Sequence, residues 1–132
     1  MKFLSFEHGG KASFGAVTDA GVVDLGKRFA DVPDLRAAIR TNRLGEMANA
    51  AGSADADMQL GNITYLATIP NPEKVICIGV NYANRNAEYK DNSAAPKYPS
   101  VFMRTRESLT GHEQPLMDPP ESDQLDYEGE IV

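Results

Sequence analysis

Two acidic residues near the end of the chain, Glu128 and Glu130, are the first candidates for chemistry. They sit in the run Leu125, Asp126, Tyr127, Glu128, Gly129, Glu130, Ile131, Val132, which reads as a β-strand. Side chains two positions apart on a strand project from the same face, about 7 Å apart along the backbone. Carboxylates held that close repel unless a cation lies between them, and the hard divalent ions Mg²⁺, Mn²⁺ and Ca²⁺ take oxygen ligands. The competing reading is a solvated strand face. Arg85 and Glu88 form a second constellation, because an i, i+3 spacing brings both side chains to one face of a helix. Arginine stays protonated at neutral pH. Arg85 can therefore clamp a carboxylate or hold Glu88 ionised, but it cannot serve as a general base. An ordinary surface ion pair is the alternative.

These residues fall within an ordered series of motifs. An apolar strand, Val75, Ile76, Cys77, Ile78, runs into Gly79, Val80, Asn81, Tyr82. Arg85 and Glu88 follow, then Pro99, Ser100, Val101, Phe102, Met103, Arg104, then Ser108, Leu109, Thr110, Gly111, and finally the Glu-x-Glu. The order and spacing resemble the start of the catalytic domain of the fumarylacetoacetate hydrolase family. That family's pattern runs strand, Gly-x-Asn-Tyr, short helix, Pro-x-x-Phe-x-Lys, Ser-Leu-x-Gly, Glu-x-Glu. The resemblance covers about residues 63 to 132, and residues 1–62 resemble the small N-terminal domain that many bacterial members carry.

The resemblance implies a metal-dependent hydrolase, lyase or isomerase acting on small 2-oxo or 1,3-dicarbonyl acids. C–C bond hydrolysis, decarboxylation and isomerisation all occur in the family, aromatic catabolism included. It also implies Mg²⁺ or Mn²⁺ as cofactor, with Ca²⁺ a further option, and a homodimer when full length. On this reading Glu128 and Glu130 are metal ligands, a third acidic ligand follows Val132, and Glu88 carries a proton. Much of the family has a histidine where Arg85 stands, so the histidine's role does not transfer. Arg104 replaces a lysine and suits a substrate carboxylate by its planar guanidinium, with Arg106 or a structural ion pair competing for that role. His112 follows a loop that lies near the active site in the family and is a candidate substrate contact. Residues 84–100 resemble the cover over the active site of related enzymes, although an exposed connection would have the same composition. A noncatalytic homologue that keeps the fold for binding or assembly is the second reading, motivated by the missing histidine. A fortuitous match on an ordinary α+β domain is the third.

Composition favours a cation rather than a polyanionic partner. The chain has 19 acidic against 13 basic residues, a net charge of −6, and no basic run to neutralise phosphates. Neither nucleic acid nor an anionic membrane is expected. The N-terminal apolar run is too short for a signal peptide, which makes the cytoplasm the expected compartment. Cys77 is the single cysteine, so an intrachain disulfide is excluded, and its apolar strand predicts a buried, unreactive thiol. His8 lies in a glycine turn, and neither histidine has partners at zinc-site spacing.

The supporting fold reads as α+β and β-rich, in two parts. Residues 1–69 form a small meander-plus-helix domain, and residues 70–132 form the start of a mixed β-fold that we expect to be truncated. Strands are expected at 3–6, 13–18 and 21–25, turning at Gly9, Gly10 and at Asp19, Ala20. Asp31 is expected to cap a helix that places Leu35, Ala38 and Ile39 on one face, weakened or divided at Gly45 before Met47, Ala48 and Ala51. Residues 52–61 read as a polar connection and 63–69 as a strand. Pro70, Asn71, Pro72 mark the boundary.

Overall fold

The computed structural model describes residues 1–79 and 97–125, and the fold is α+β with antiparallel sheets. Two compact units are present: Met1–Asn71 together with the segment from Leu109, and Pro72–Ser108.

The first unit is built on a four-stranded sheet of order β3-β2-β1-β4. β1 (Lys2–His8) and β2 (Lys11–Thr18) form a hairpin in which His8 pairs with Lys11. The two turn residues between them, Gly9 and Gly10, have φ of 58° and 74°. Positive φ at both central positions matches the turn to the twist of the strands, and glycine adopts it without strain. β3 (Gly21–Asp24) pairs with β2, and β4 (Thr64–Tyr65) closes the other edge against β1.

Alternation along the strands divides the apolar residues between two faces. Phe14, Ala16 and Val23 join Leu25, Val32, Leu35, Ala38, Met47 and Ala51 in one core under the helices. Leu4, Phe6, Val22 and Met58 form a second cluster beneath the connection that follows the helices. That connection is tied down, since the Val22 amide donates to the Met58 carbonyl and the Asp57 amide to the Val22 carbonyl, each at 2.8 Å.

Helix α1 (Leu25–Arg28) is capped by Asp24, whose carboxylate accepts the Lys27 amide at 3.2 Å. Helix α2 (Leu35–Arg40) is capped by Asp34, not by Asp31, through the Ala37 amide at 2.7 Å. Asp34 immediately precedes the first helical residue, whereas Asp31 is too far upstream and pairs with Arg43 instead. The break between helices also differs from expectation. α2 ends at Thr41, Asn42 takes a left-handed φ of 57°, and Gly45 lies inside the next helix, α3 (Leu44–Gly52). Leu35 and Ala38 are buried as the spacing predicts, but Ile39 is exposed because so short a helix covers only a narrow stripe.

The strand expected over 63–69 is reduced to Thr64–Tyr65. Beyond it, single bonds replace the ladder: the Leu66 amide donates to the Ser5 carbonyl at 3.1 Å and the Ser5 hydroxyl to the Thr68 carbonyl at 2.8 Å.

In the second unit β5 (Val75–Gly79) pairs antiparallel with β6 (Ser100–Arg104). Ile76 faces Met103 and Ile78 faces Val101, so one face of this ribbon carries four exposed apolar side chains. The other face carries Cys77, Phe102 and Arg104. Cys77 is half-buried there, not enclosed as its apolar neighbours suggest.

Candidate active site

Of the residues that the sequence singles out, Arg104 and His112 are described in the structure. Arg85, Glu88, Glu128 and Glu130 lie outside the described residues, as does most of the 84–100 segment. Among the described residues no three His, Cys, Asp or Glu side chains come together as a metal cluster.

Arg104 ends β6, opposite Val75. Its guanidinium carbon stands 5.1 Å from the centre of the Phe102 ring, two positions earlier on the same face. A cation over an aromatic face is attracted by the ring's quadrupole, and a planar guanidinium is the side chain suited to bidentate recognition of a carboxylate. Downstream, Arg106 donates from Nε to Glu107 at 2.7 Å, which lowers the Glu107 pKa. Arg106 is thereby engaged locally with its neighbour in sequence.

His112 occupies a central position of a turn closed by the Gln114 amide donating to the Gly111 carbonyl at 3.1 Å, with Glu113 at a φ of 59°. The imidazole remains largely exposed, with its Nε2 3.6 Å from the Glu113 carboxylate. Its ring meets Tyr65 edge to face at a centroid separation of 5.1 Å and an angle of 87°. Tyr65 is a residue that sequence reasoning passed over. The signal was an aromatic side chain closing the last strand before the proline boundary, and nothing in the spacing linked it to a turn 47 positions later (112 − 65).

Known proteins with the same sequence pattern decide the family. Residues 74–132 match the model described as fumarylacetoacetate (FAA) hydrolase C-terminal. Over residues 74–132 the chain is a fragment of the fumarylacetoacetate hydrolase family. Its matched segment contains Arg85, Glu88, Arg104, His112, Glu128 and Glu130. Among similar proteins, the mitochondrial oxaloacetate tautomerase fahd2 of Xenopus laevis is 42% identical over 71 residues, covering 54% of this chain and 22% of the relative. The fumarylacetoacetate hydrolase domain-containing protein 2 homolog of Dictyostelium discoideum is 31% identical over 123 residues, covering 89% of this chain and 39% of the relative. A Mycobacterium smegmatis crystal structure assigned to HpcE shares the fold, with a TM-score of 0.63 and 24% identity over 88% of this chain and 40% of that one. The chain thus spans well under half the length of these curated relatives. No helix among the described residues is long and apolar enough to cross a membrane.

Proposed function

We propose that this chain is part of a divalent-metal-dependent enzyme that acts on small 2-oxo acids, with keto–enol tautomerisation of a 2-oxo dicarboxylate such as oxaloacetate as its reaction. The observation that carries the reading is the 42% identity over 71 residues to a protein named oxaloacetate tautomerase, beside a family match over residues 74–132 that contains every candidate site residue. Hydrolysis and decarboxylation of 1,3-dicarbonyl acids are the sister reactions of the same chemistry, and a homodimer in the cytoplasm is the setting proposed with it.

Tautomerisation moves one proton between a carbon and an oxygen and leaves the atom count unchanged. Glu88 is the proposed carrier, taking the proton from the enol hydroxyl and returning it to the adjacent carbon. Arg85 and Arg104 are the proposed clamps for the two carboxylates, and His112 a further contact. Glu128 and Glu130 offer the hard oxygen donors that Mg²⁺ or Mn²⁺ prefers, and such an ion would stabilise negative charge on the substrate oxygens. Ultraviolet decay of enol oxaloacetate, followed with and without Mg²⁺ or Mn²⁺ in the intact protein and in Glu88→Gln, tests the reading. Metal-stimulated decay that Glu88→Gln abolishes is the expected result, and decay at the buffer rate in wild type overturns it.

Arg85 in the family's histidine position favours one other reading, a noncatalytic homologue that retains ligand binding. That protein would bind a 2-oxo acid in calorimetry yet leave its tautomer ratio unchanged.

A further inference from the structure

Gly111 has no room for a side chain. A Cβ built there would collide with the Tyr65 carbonyl oxygen and lie 2.6 Å from the Tyr65 carbonyl carbon and 2.9 Å from that of Leu66. All these approaches are to backbone, which cannot swing aside as a flexible side chain can. The turn that carries His112 is therefore seated directly on the end of β4, and the next residue adds the ring contact between His112 and Tyr65.

The seat is itself fixed. Tyr65 pairs with Phe6, which is fully buried, and its side chain packs against the cluster of Leu4, Phe6, Val22 and Met58. The Leu66 amide and the Thr68 carbonyl are both bonded to Ser5 on β1. Such a platform restricts the imidazole's orientation while its outer edge stays open to solvent.

We propose that Tyr65 is a positioning residue, which holds the turn after the Ser-Leu-Thr-Gly motif so that the His112 imidazole is set in a fixed orientation toward substrate. This rests on the reading of His112 as a substrate contact of a 2-oxo acid enzyme. The small N-terminal unit then contributes to substrate binding through the platform it offers to a loop of the catalytic sequence. Preorganisation of this kind reduces the ordering cost of binding, so its loss raises KM more than it lowers kcat.

The test uses Tyr65→Leu, which keeps apolar volume in the cluster but removes the aromatic edge, with Tyr65→Phe as the conservative rescue and His112→Ala as reference. In the intact protein, Tyr65→Leu is expected to raise KM for oxaloacetate about fivefold, the scale of one aromatic contact, with kcat changed less. Tyr65→Phe stays within about twofold of wild type, and adding Tyr65→Leu to His112→Ala brings no further loss. The His112 ring-proton NMR resonances move in Tyr65→Leu and keep their positions in Tyr65→Phe. A Tyr65→Leu protein that is merely less heat-stable, with unmoved His112 resonances and wild-type KM, overturns the proposal. Moved resonances with a wild-type KM in His112→Ala also overturn it, by removing His112 from substrate binding. Absence of any 2-oxo acid turnover in wild type defeats the functional reading instead, and the resonances still judge the Tyr65 contact without substrate.

Discussion

Asp57 accepts the backbone N–H of Asp24 at 2.8 Å across 33 residues of sequence, and the same carboxylate oxygen takes the Arg28 guanidinium. One carboxylate thereby joins the edge strand, the first helix and the returning connection. Burial pushes its pKa up, but the Asp24 amide and Arg28 outweigh that and leave it below the ordinary 3.8.

The acid stability of the first unit follows from this bond. The unfolded chain protonates Asp57 near its ordinary value, before the folded form does, so the contribution is whole above 3.8 and drains away as pH falls through the lower folded pKa. Asp57→Asn should cost roughly 1 kcal/mol at neutral pH, the discounted worth of a charge-assisted bond at a partly exposed site. Thermal melts of wild type and variant should converge in strong acid. A gap that stays constant across the titration would show that the carboxylate charge is not the cause.

Gly15 is required by close packing within the sheet. A Cβ there would stand 2.5 Å from the Val23 carbonyl oxygen, 3.1 Å from Val22 Cγ1 and 3.2 Å from Phe6 Cε1, all buried neighbours. Gly15→Ala should lower stability by about 2 kcal/mol, as overpacking does. The change should appear as a lower urea midpoint at unchanged slope, and a midpoint equal to wild type would contradict it.

The hairpin strands were legible because Gly9, Gly10 and the alternation of Leu4, Phe6, Phe14 and Ala16 fix both turn and register locally. The cap of α2 was less so. Asp31 and Asp34 are equal in chemistry, and only the structure shows that Asp34 reaches the Ala37 amide while Asp31 is drawn to Arg43. Ile63 to Ile69 carries a strand's composition, but pairing needs a neighbour, and only Thr64 and Tyr65 find one on β1. For the candidate site, motif order in the sequence led to the family. The contact of Gly111 and His112 with Tyr65 is long-range and has no periodic trace in the chain.

Arg85 separates a clamp from a surface ion pair. As a substrate clamp it contributes a bidentate, charge-assisted contact, so Arg85→Ala should raise KM for a 2-oxo dicarboxylate by about tenfold or more. Arg85→Lys should recover part of the loss, since the charge remains while the fork is gone. Steady-state kinetics on a dicarboxylate and a monocarboxylate 2-oxo acid distinguish the cases. Equal small effects on both substrates would assign Arg85 to the surface.

The Glu-x-Glu gives opposite predictions under its two readings. As ligands, Glu128 and Glu130 each supply a charged oxygen donor, so Glu128→Gln or Glu130→Gln should weaken Mg²⁺ and Mn²⁺ binding and suppress turnover even with excess substrate. The fold should survive, because removing one of two like charges relieves repulsion in the metal-free protein. A solvated strand face would respond to the same substitutions with stability changes of less than about 0.5 kcal/mol and with hardly any change in metal affinity or activity. Calorimetric titration of the intact wild type and both variants with each ion decides between them. Equal affinity in all three proteins sinks the ligand assignment, whereas a loss confined to the variants, with unchanged melting in the absence of metal, ties the cation to this pair.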